Sequence, residues 1–347
     1  MVQRPSGNNR ELYTPIDPVP ESIQHPFWSV MIPTFNRETY LEHTIMSVLK
    51  NDFNSEDVQI EIIDNCSTQI DIEKLVKKIG DPRVTFFKQP HHVSMSENWT
   101  TCIQRAKGKW VHILHDDDMV LPGFYKKYSG FIQNHPDVDM VFCRSIIIDE
   151  HDRWIEISNF NRIQSSEGIF EDAFNTLIIG NVIYAPSVIV SRKMYEYCGG
   201  FSTEFNFLPD WEMYMRIASI GKIGYIDQPF SLYRVHQGAE TNKYMITGKV
   251  YEEFIDLFEL CKNIIPSQEY KKIKRIAYRN SSRAATGHSY KFLLQKNYGA
   301  SINHALWALK LDLSLRSIFR VTIIIGLIIT SEIFELMRIP MRPQSFR

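Results

Sequence analysis

Three consecutive aspartates, Asp116, Asp117 and Asp118, form the strongest chemical signal in the sequence. They follow the apolar residues 110–114 (WVHIL), which predict a buried strand, so the three carboxylates stand at a strand end. Adjacent carboxylates repel one another unless a cation or several hydrogen bonds compensate. Because Mg²⁺ and Mn²⁺ prefer such oxygen ligands, a divalent cation is one interpretation. A solvated acidic turn that caps the helix after Pro122 is the other.

Two further carboxylates stand at the ends of predicted elements. Asp64 ends the apolar run 58–63 (VQIEII), where an acid can accept hydrogen bonds from a base imide or a ribose hydroxyl. Asp210 precedes a predicted helix over residues 211–220, and there it can take the proton of an acceptor hydroxyl as a general base. The alternative for both is a local cap, an Asx-turn with Ser67 at Asp64 and a helix N-cap at Asp210.

The sequence Y-R-V-H at residues 233–236 contains two side chains suited to anions or metals. Arg234 suits phosphate or carboxylate, and His236 can ligate a metal or contact a phosphate. A histidine that satisfies a backbone hydrogen bond is the alternative for His236. The pair His91 and His92 indicates a metal only weakly, because the sequence places no third ligand nearby.

Predicted strands and helices alternate along the first half of the chain, with strands at residues 28–32, 58–63, 84–87 and 110–114 and helices at 38–50, 72–79 and 96–106. This alternation predicts right-handed β-α-β crossovers and a mainly parallel α/β sheet. Ligands of such sheets bind beyond the carboxyl ends of the strands. The polar loops 34–37, 64–67 and 115–118 are therefore expected along one edge of the sheet.

The second half of the chain predicts shorter strands and then a helical region. The short strands are expected at residues 139–148, 187–190, 224–226 and 230–235. From residue 247 the pattern is almost wholly helical, and we expect a domain boundary near residue 245. Residues 1–28 read as an extended leader, because their prolines oppose a regular helix or central strand.

Composition excludes several classes of protein. The 347 residues are 44% hydrophobic and 23% charged, with a net charge of −1, which argues against disorder and against nucleic-acid binding as the main task. The five cysteines form no C-x-x-C pair, so neither a disulfide framework nor a zinc knuckle is indicated. Because residues 1–22 lack the apolar run of a signal peptide, a cytoplasmic location is expected.

In order, the segments S-V-M-I-P-T-F-N-R, I-I-D-N-C-S-T, L-H-D-D-D-M-V-L-P-G, D-W-E-x-x-x-R and Y-R-V-H resemble the family 2 glycosyltransferases of the GT-A fold. A helix that carries E-N-W at residues 97–99 belongs to the same series, and the resemblance covers residues 29–240. It implies a GT-A-type α/β sheet flanked by helices and an inverting transfer from a nucleotide-diphosphate sugar to a hydroxyl acceptor. The implied cofactor is Mg²⁺ or Mn²⁺.

The resemblance also implies roles for individual residues. Asp210 matches the family's catalytic base, and the implied metal-binding residues are Asp117, Asp118 and His236. The residues implied to line the nucleotide-sugar pocket are Pro33, Thr34, Asn36, Arg37, Asp64, Asn98, Asp116 and Asp117. One departure is His115, which stands where the family has the first aspartate of its D-x-D motif, so Asp117 is the expected direct metal ligand. The family's D-D-G-S becomes D-N-C-S at residues 64–67, and this leaves the nucleotide and the sugar open.

The expected organisation is an extended leader, a GT-A domain and a helical C-terminal region, at residues 1–28, 29–245 and 246–347. The last region contains the apolar stretch 321–329 (VTIIIGLII), which is far shorter than the ~20 residues that cross a bilayer. Residues 310–347 hold six Lys and Arg but three Asp and Glu. The stretch either packs on the core or on a second subunit of a homodimer, or contacts the inner face of an anionic membrane.

The expected partners are a nucleotide-sugar donor and an acceptor that is a glycan, a polysaccharide end or a lipid-linked sugar, with no nucleic acid. Two alternatives stay open. A sugar-1-phosphate nucleotidyltransferase would want a glycine-rich loop after the first strand, and residues 33–40 contain no glycine. A non-catalytic nucleotide-sugar-binding protein would not need both the aspartate cluster and Asp210.

Overall fold

The computed structural model describes residues 13–23, 25–53, 56–158, 166–236, 238 and 240–337. Residues 1–12 and 24 of the predicted leader and the basic residues after 337 thus lie outside the described residues. The chain divides into two compact units. The first comprises Met1–Leu177 with Asn181–Ala239, and the second comprises Ile178–Gly180 with Glu240–Arg347.

The first unit begins with four parallel strands, β1 (Trp28–Thr34), β2 (Val58–Asp64), β3 (Val84–Lys88) and β4 (Trp110–Ile113). The helices between them are α1 (Leu41–Leu49), α2 (Ile72–Ile79) and α3 (Met95–Arg105). The strand register pairs Thr34 with Asp64 and Asp64 with Lys88, so these strands end side by side. The predicted mainly parallel α/β sheet is confirmed.

The remaining strands and helices of this unit follow in chain order: β5 (Met119–Val120), α4 (Phe124–Asn134), β6 (Met140–Ile148), β7 (Trp154–Ile157), β8 (Gly168–Ile169), α5 (Ala173–Ile178), β9 (Ile189–Ser191), α6 (Arg192–Cys198), α7 (Pro209–Ala218) and β10 (Ile223–Arg234). The strand order is β3-β2-β1-β4-β9-β6-β10-β5. β9 is antiparallel to both neighbours, whereas β10 runs parallel to β6.

One prediction for this half was wrong. The two short strands expected at residues 224–226 and 230–235 form a single strand, β10, with register shifts on either side of Pro229. Proline lacks the N–H that a ladder needs, and a bulge lets the strand continue past it. The long strand brings Arg234, at its end, back to the aspartate cluster.

Short-range signals fix the helices around the sheet. β1 is buried over all seven residues, as its apolar sequence predicts. Asp71 caps the first turn of α2 by accepting a hydrogen bond from the Lys74 amide, and Gly80 ends that helix at a φ of +70°. Ser94 and Glu97 form a capping box at the start of α3. These helices therefore hold the strand ends at fixed positions.

The second unit is helical where it is described, as predicted: α8 (Glu240–Thr247), α9 (Val250–Leu260), α10 (Ser267–Leu294), α11 (Tyr298–Leu311) and α12 (Leu315–Met337). Buried hydroxyl pairs join the last three helices, with Ser289 against Ser301 and Ser282 against Ser317. The apolar stretch 321–329 lies inside α12. Among the described residues, no helix combines the length and apolarity needed to cross a membrane.

Candidate active site

The ends of β1 and β4 meet through a hydrogen bond and two ion pairs. Thr34 Oγ1 donates to Asp116 Oδ2 at 2.6 Å. Arg37 Nη1 donates to Asp117 Oδ2 at 2.8 Å, and its Nε lies 3.3 Å from Asp116 Oδ1. One guanidinium thus lies against two of the three adjacent carboxylates and offsets part of their repulsion.

Asp118 has the least satisfied carboxylate of the three. It is 1% exposed, and its Oδ1 accepts a hydrogen bond from the Arg234 amide at 2.9 Å. Its Oδ2 is buried and has no hydrogen-bond partner in the described part of the chain. His115 Nδ1 lies 3.8 Å from that oxygen. A buried carboxylate oxygen without a donor is costly, and a bound cation would satisfy it.

His115, Asp117 and Asp118 can share one cation. Each offers one ligand atom, and these atoms lie within 4.8 Å of one another. An imidazole nitrogen with two carboxylate oxygens is a donor set that fits Mn²⁺ or Mg²⁺. The residues present therefore fit the divalent metal that the sequence implies. This group contains His115, and the expected part of His236 as a metal ligand stays a prediction.

Burial and neighbouring charge separate the pKa values of the aspartates. Burial raises the pKa of Asp118, and the charge of Asp117 raises it further. Burial also raises the pKa of Asp116, although Arg37 opposes this shift. For Asp117 burial is outweighed by the hydrogen bond with His236 and the charge of Arg37, so its pKa is lowered. Negative charge at the site is consequently concentrated on Asp117.

The Y-R-V-H segment folds over the aspartates from the end of β10. His236 is buried, with Nε2 3.0 Å from Asp117 Oδ2 and 2.7 Å from Arg37 Nη1. Arg234 donates from Nε to the Asp117 carbonyl at 2.8 Å, and its Nη1 lies 2.6 Å from Asp152 Oδ1. Arg234 thus positions the aspartate loop, and the side-chain carboxylate that it contacts is that of Asp152.

The loop after β2 is built around Asp64. Asp64 Oδ1 accepts hydrogen bonds from the amide and hydroxyl of Ser67, which is the local cap that the sequence left open. Asn36 has a left-handed φ of +49° and accepts from the Thr68 and Gln69 amides, so it ties this loop to the end of β1. A cavity of about 370 Å³ opens beside these residues and is lined by Asp64, Ser67, Phe86 and Lys88, among others.

Asp210 is the second residue of α7, directly after Pro209. Its Oδ1 accepts a hydrogen bond from the Trp211 amide at 2.8 Å. Burial raises the pKa of Asp210 to about 6, which is a value suited to a general base at neutral pH. Besides burial, the charges of Asp210 and Asp118 both raise the pKa of Tyr214. The two carboxylates therefore lie within electrostatic range of one phenol ring.

A buried ion pair fixes the helix that carries Asp210. Arg216 Nη2 lies 2.9 Å from Glu212 Oε2, and these side chains are 10% and 2% exposed. The same guanidinium donates to the carbonyls of Cys198 and Gly200 and stacks over the Tyr13 ring at 3.7 Å. The conspicuous D-W-E-x-x-x-R sequence thus has a structural reason apart from Asp210 itself.

The family model for "Glycosyl transferase family 2" matches residues 29–198. Residues 29–198 therefore form a glycosyl transferase family 2 domain. This glycosyltransferase is 26% identical over 293 residues to the GalNAc(5)-diNAcBac-PP-undecaprenol beta-1,3-glucosyltransferase of Campylobacter jejuni, covering 79% of this chain and 85% of that one. It is 28% identical over 218 residues to the putative colanic acid biosynthesis glycosyl transferase WcaA of Escherichia coli K12, covering 62% and 74%.

Solved structures of S. aureus TarS share the fold of this glycosyltransferase. TarS 1–349 in complex with UDP-GlcNAc superposes with a TM-score of 0.59 at 18% identity, covering 87% of this chain and 88% of that one. A longer TarS chain gives a TM-score of 0.58 at 17% identity, and the match spans 50% of its length. The predicted GT-A-type fold with a C-terminal helical region is confirmed.

The structure brings most of the predicted site residues of the glycosyltransferase to one edge of the sheet, but gives two of them scaffold roles. Asn98 is 4% exposed, and its amide donates to the Ile63 carbonyl at 3.4 Å and accepts from Gln89 at 3.2 Å. It ties α3 to the end of β2. Pro33 lies inside β1, paired in register with Ile63. Contact of Asn98 or Pro33 with a nucleotide-sugar donor stays a prediction.

Two residues of the site were missed as ligands by the sequence analysis. His115 was noted only as a departure, yet it joins Asp117 and Asp118 and stacks on Trp99 with ring centroids 4.6 Å apart. Phe35 follows β1, is 43% exposed and lies against His92 in a tilted arrangement, with ring centroids 4.4 Å apart. An aromatic residue inside a polar strand-end loop was the signal for Phe35.

Proposed function

We propose that this glycosyltransferase moves a sugar from a nucleoside diphosphate sugar to a hydroxyl group of a lipid-linked glycan, with inversion at the anomeric carbon and with a divalent metal. The single observation that supports it best is the joint arrangement of His115, Asp117 and Asp118 with a buried, unsatisfied oxygen. The charges of Asp210 and of Asp118 both raise the pKa of the same phenol, that of Tyr214.

The donor would occupy the strand-end edge. Asp64 and the exposed ring of Phe35 flank the loops after β1 and β2, and they suit the hydrogen-bonding edge and the face of a nucleobase. Mg²⁺ or Mn²⁺ held by His115, Asp117 and Asp118 would neutralise charge that develops on the leaving diphosphate. Arg37 and His236 lie on the same oxygen of Asp117 and add positive or hydrogen-bonding groups beside it.

Asp210 would act as the general base. Its pKa of about 6 leaves it ionised at neutral pH, yet basic enough to take the proton of the acceptor hydroxyl as that oxygen attacks the anomeric carbon. The attack from the face opposite the leaving diphosphate gives inversion in one displacement. No covalent link between the sugar and the protein is needed.

The proposed substrates draw on the names of relatives. The C. jejuni relative is named for a polyprenyl-diphosphate-linked oligosaccharide, and its match spans 79% of this chain. TarS, which shares the fold, has been solved with UDP-GlcNAc. A uridine diphosphate sugar as the donor and a lipid-linked glycan as the acceptor are therefore the first pair to test.

The deciding experiment separates donor binding from transfer. Asp210→Asn is expected to bind UDP-GlcNAc or UDP-glucose with unchanged affinity in the presence of Mn²⁺. It is expected to lose both the transfer of sugar to a lipid-linked acceptor and the slow hydrolysis of the donor. Asp137→Asn, an exposed aspartate paired with Lys222, is the matched control and should keep both. Full transfer by Asp210→Asn, or loss of its donor binding, would remove Asp210 from the role of base.

A further inference from the structure

The outer face of α12 is apolar and unpartnered in the described part of the chain. A narrow stripe of Ser317, Val321, Ile324 and Ile328 is buried against the second unit. Around the rest of the helix, large apolar side chains are exposed, and they are Leu315 (85%), Ile318, Phe319 (67%), Ile323, Ile325, Leu327 and Ile329. Contiguous exposed apolar surface of this kind marks an interaction site.

The exposed face is too wide for one helical partner. Viewed down the helix axis, at about 100° per residue, all the exposed apolar side chains lie between Ile325 at one edge of the face and Leu327 at the other. The arc between these two edges is about 200°. A seam between two helices needs a stripe of only about 100°. A second copy that placed one helix against α12 would leave half of this face in water, whereas a lipid phase surrounds all of it.

Apart from Arg316 near the start of α12, which falls within the same arc, the polar side chains on the apolar face are already satisfied. Thr322 and Thr330 are exposed, but their hydroxyls donate to the carbonyls of Ile318 and Leu327 on the same helix, at 2.9 Å in each case. A hydroxyl bonded to its own helix can enter an apolar phase without an unpaired donor. Residues 315–330 also contain no acidic side chain.

The helices around this face are strongly basic. Residues 267–337 contain eleven Lys and Arg but only four acidic residues, Glu269, Asp312, Glu332 and Glu335, a net charge of +7 in a chain whose total is −1. Ser282 Oγ lies 3.0 Å from Ser317 Oγ, so their chain neighbours Arg283 and Arg316 lie at the same level along α10 and α12. Both arginines are exposed.

We propose that the second unit docks on the surface of a bilayer that contains anionic lipids, with the outer face of α12 at the acyl boundary. Arg283, Arg316 and Arg320 then meet the lipid headgroups. The apolar residues from Ile318 to Ile329 cover about 18 Å of helix, against a hydrocarbon core of about 30 Å, so α12 lies on the bilayer and does not cross it. The proposal concerns the second unit alone and does not depend on the identity of donor or acceptor.

Vesicle flotation of the full chain tests the docking. The wild type should float with vesicles of phosphatidylcholine and phosphatidylglycerol, at least tenfold less with phosphatidylcholine alone, and less as salt rises. Phe319→Glu with Ile323→Glu should reduce the bound fraction at least tenfold, and Arg316→Glu with Arg320→Glu should remove the preference for anionic lipid. Trp154→Glu, 67% exposed in the first unit, is the matched control and should float like the wild type.

Two results would overturn the proposal. One is a wild type that floats with neither vesicle. The other is a wild type that light scattering shows to be a dimer, combined with a Phe319→Glu, Ile323→Glu variant that is a monomer but floats as well as the wild type. That result would assign the face to a second copy of the chain. Because all four side chains are exposed, thermal unfolding and donor hydrolysis of the variants should match the wild type. Failure of flotation with intact donor hydrolysis would leave the proposed function untouched.

Discussion

Replacing Asp118 by asparagine should stabilise the metal-free protein and abolish its response to metal. In the metal-free protein the buried Oδ2 of Asp118 has no hydrogen-bond partner among the described residues and lies beside the charged Asp117. The asparagine side chain would keep the acceptor for the Arg234 amide and would replace the other oxygen with an N–H donor. The unsatisfied charged group costs about 1–3 kcal/mol.

The expected size of the effect follows from that cost. Relief of about 1–2 kcal/mol raises the melting temperature by roughly 2–8 °C for a unit of this size. In the wild type, Mn²⁺ at 100 times its dissociation constant should add about 2.7 kcal/mol, and Asp118→Asn should lose most of this gain. Asp118→Asn should therefore be more stable than the wild type in EDTA and less stable than the wild type in Mn²⁺. This reversal distinguishes a cation site from an aspartate with only a structural role.

The same substitution has a predicted pH dependence. Because the pKa of Asp118 is raised in the folded state, the folded protein holds a proton that the unfolded chain releases near pH 4. Wild-type stability therefore falls as the pH rises from about 4 through the raised pKa, and the advantage of Asp118→Asn grows over the same range.

Thermal and urea unfolding in EDTA and in Mn²⁺, from pH 4 to pH 8, provide the assay. Asp137→Asn removes an exposed aspartate and should change neither the stability nor the Mn²⁺ response. A less stable Asp118→Asn in EDTA, or one that Mn²⁺ stabilises as much as the wild type, would refute the reasoning.

Three further outcomes are expected. Glu212→Gln should lower the free energy of unfolding in urea by about 3 kcal/mol, because it leaves the buried Arg216 without its carboxylate. The control Glu73→Gln removes an exposed ion pair and should leave the free energy of unfolding unchanged, and equal stabilities of the two variants would contradict the prediction. The pH profile of kcat/KM should fall on the acid side below about pH 6, where Asp210 becomes protonated, and a flat profile to pH 4.5 would exclude this base. Phe35→Ala should weaken binding of the nucleotide-sugar donor in calorimetry by about twofold to tenfold and leave the melting temperature unchanged. An unchanged affinity would show that Phe35 does not contact the nucleobase.

The parallel half of the sheet could be predicted because its signals are local. Each of its strands is an apolar run between polar residues, and residues 72–79 form a helix whose bounds match the prediction. The strand ends then had to converge, since parallel strands finish at one edge. Thr34, Asp64 and the aspartate cluster meet for that reason.

Long-range pairing explains what the sequence did not predict. The insertion of β9 antiparallel between β4 and β6, and the continuation of β10 past Pro229, depend on partners distant in the chain. The side-chain amide of Asn98 hydrogen-bonds to the Ile63 carbonyl and to the Gln89 side chain, and a linear motif cannot predict these bonds either. His115 gains significance only when its distance to the Asp118 carboxylate is known.

The most direct test of the central claim is calorimetric binding of UDP in Mn²⁺ and in EDTA by the wild type and by Asp117→Asn. Asp117 has the lowered pKa of the cluster and contacts both Arg37 and His236. We predict binding by the wild type that weakens at least tenfold in EDTA, and no metal-dependent gain for Asp117→Asn. Equal affinity of the wild type in Mn²⁺ and in EDTA, or a full metal-dependent gain in Asp117→Asn, would contradict a nucleoside diphosphate and metal site at this sheet edge.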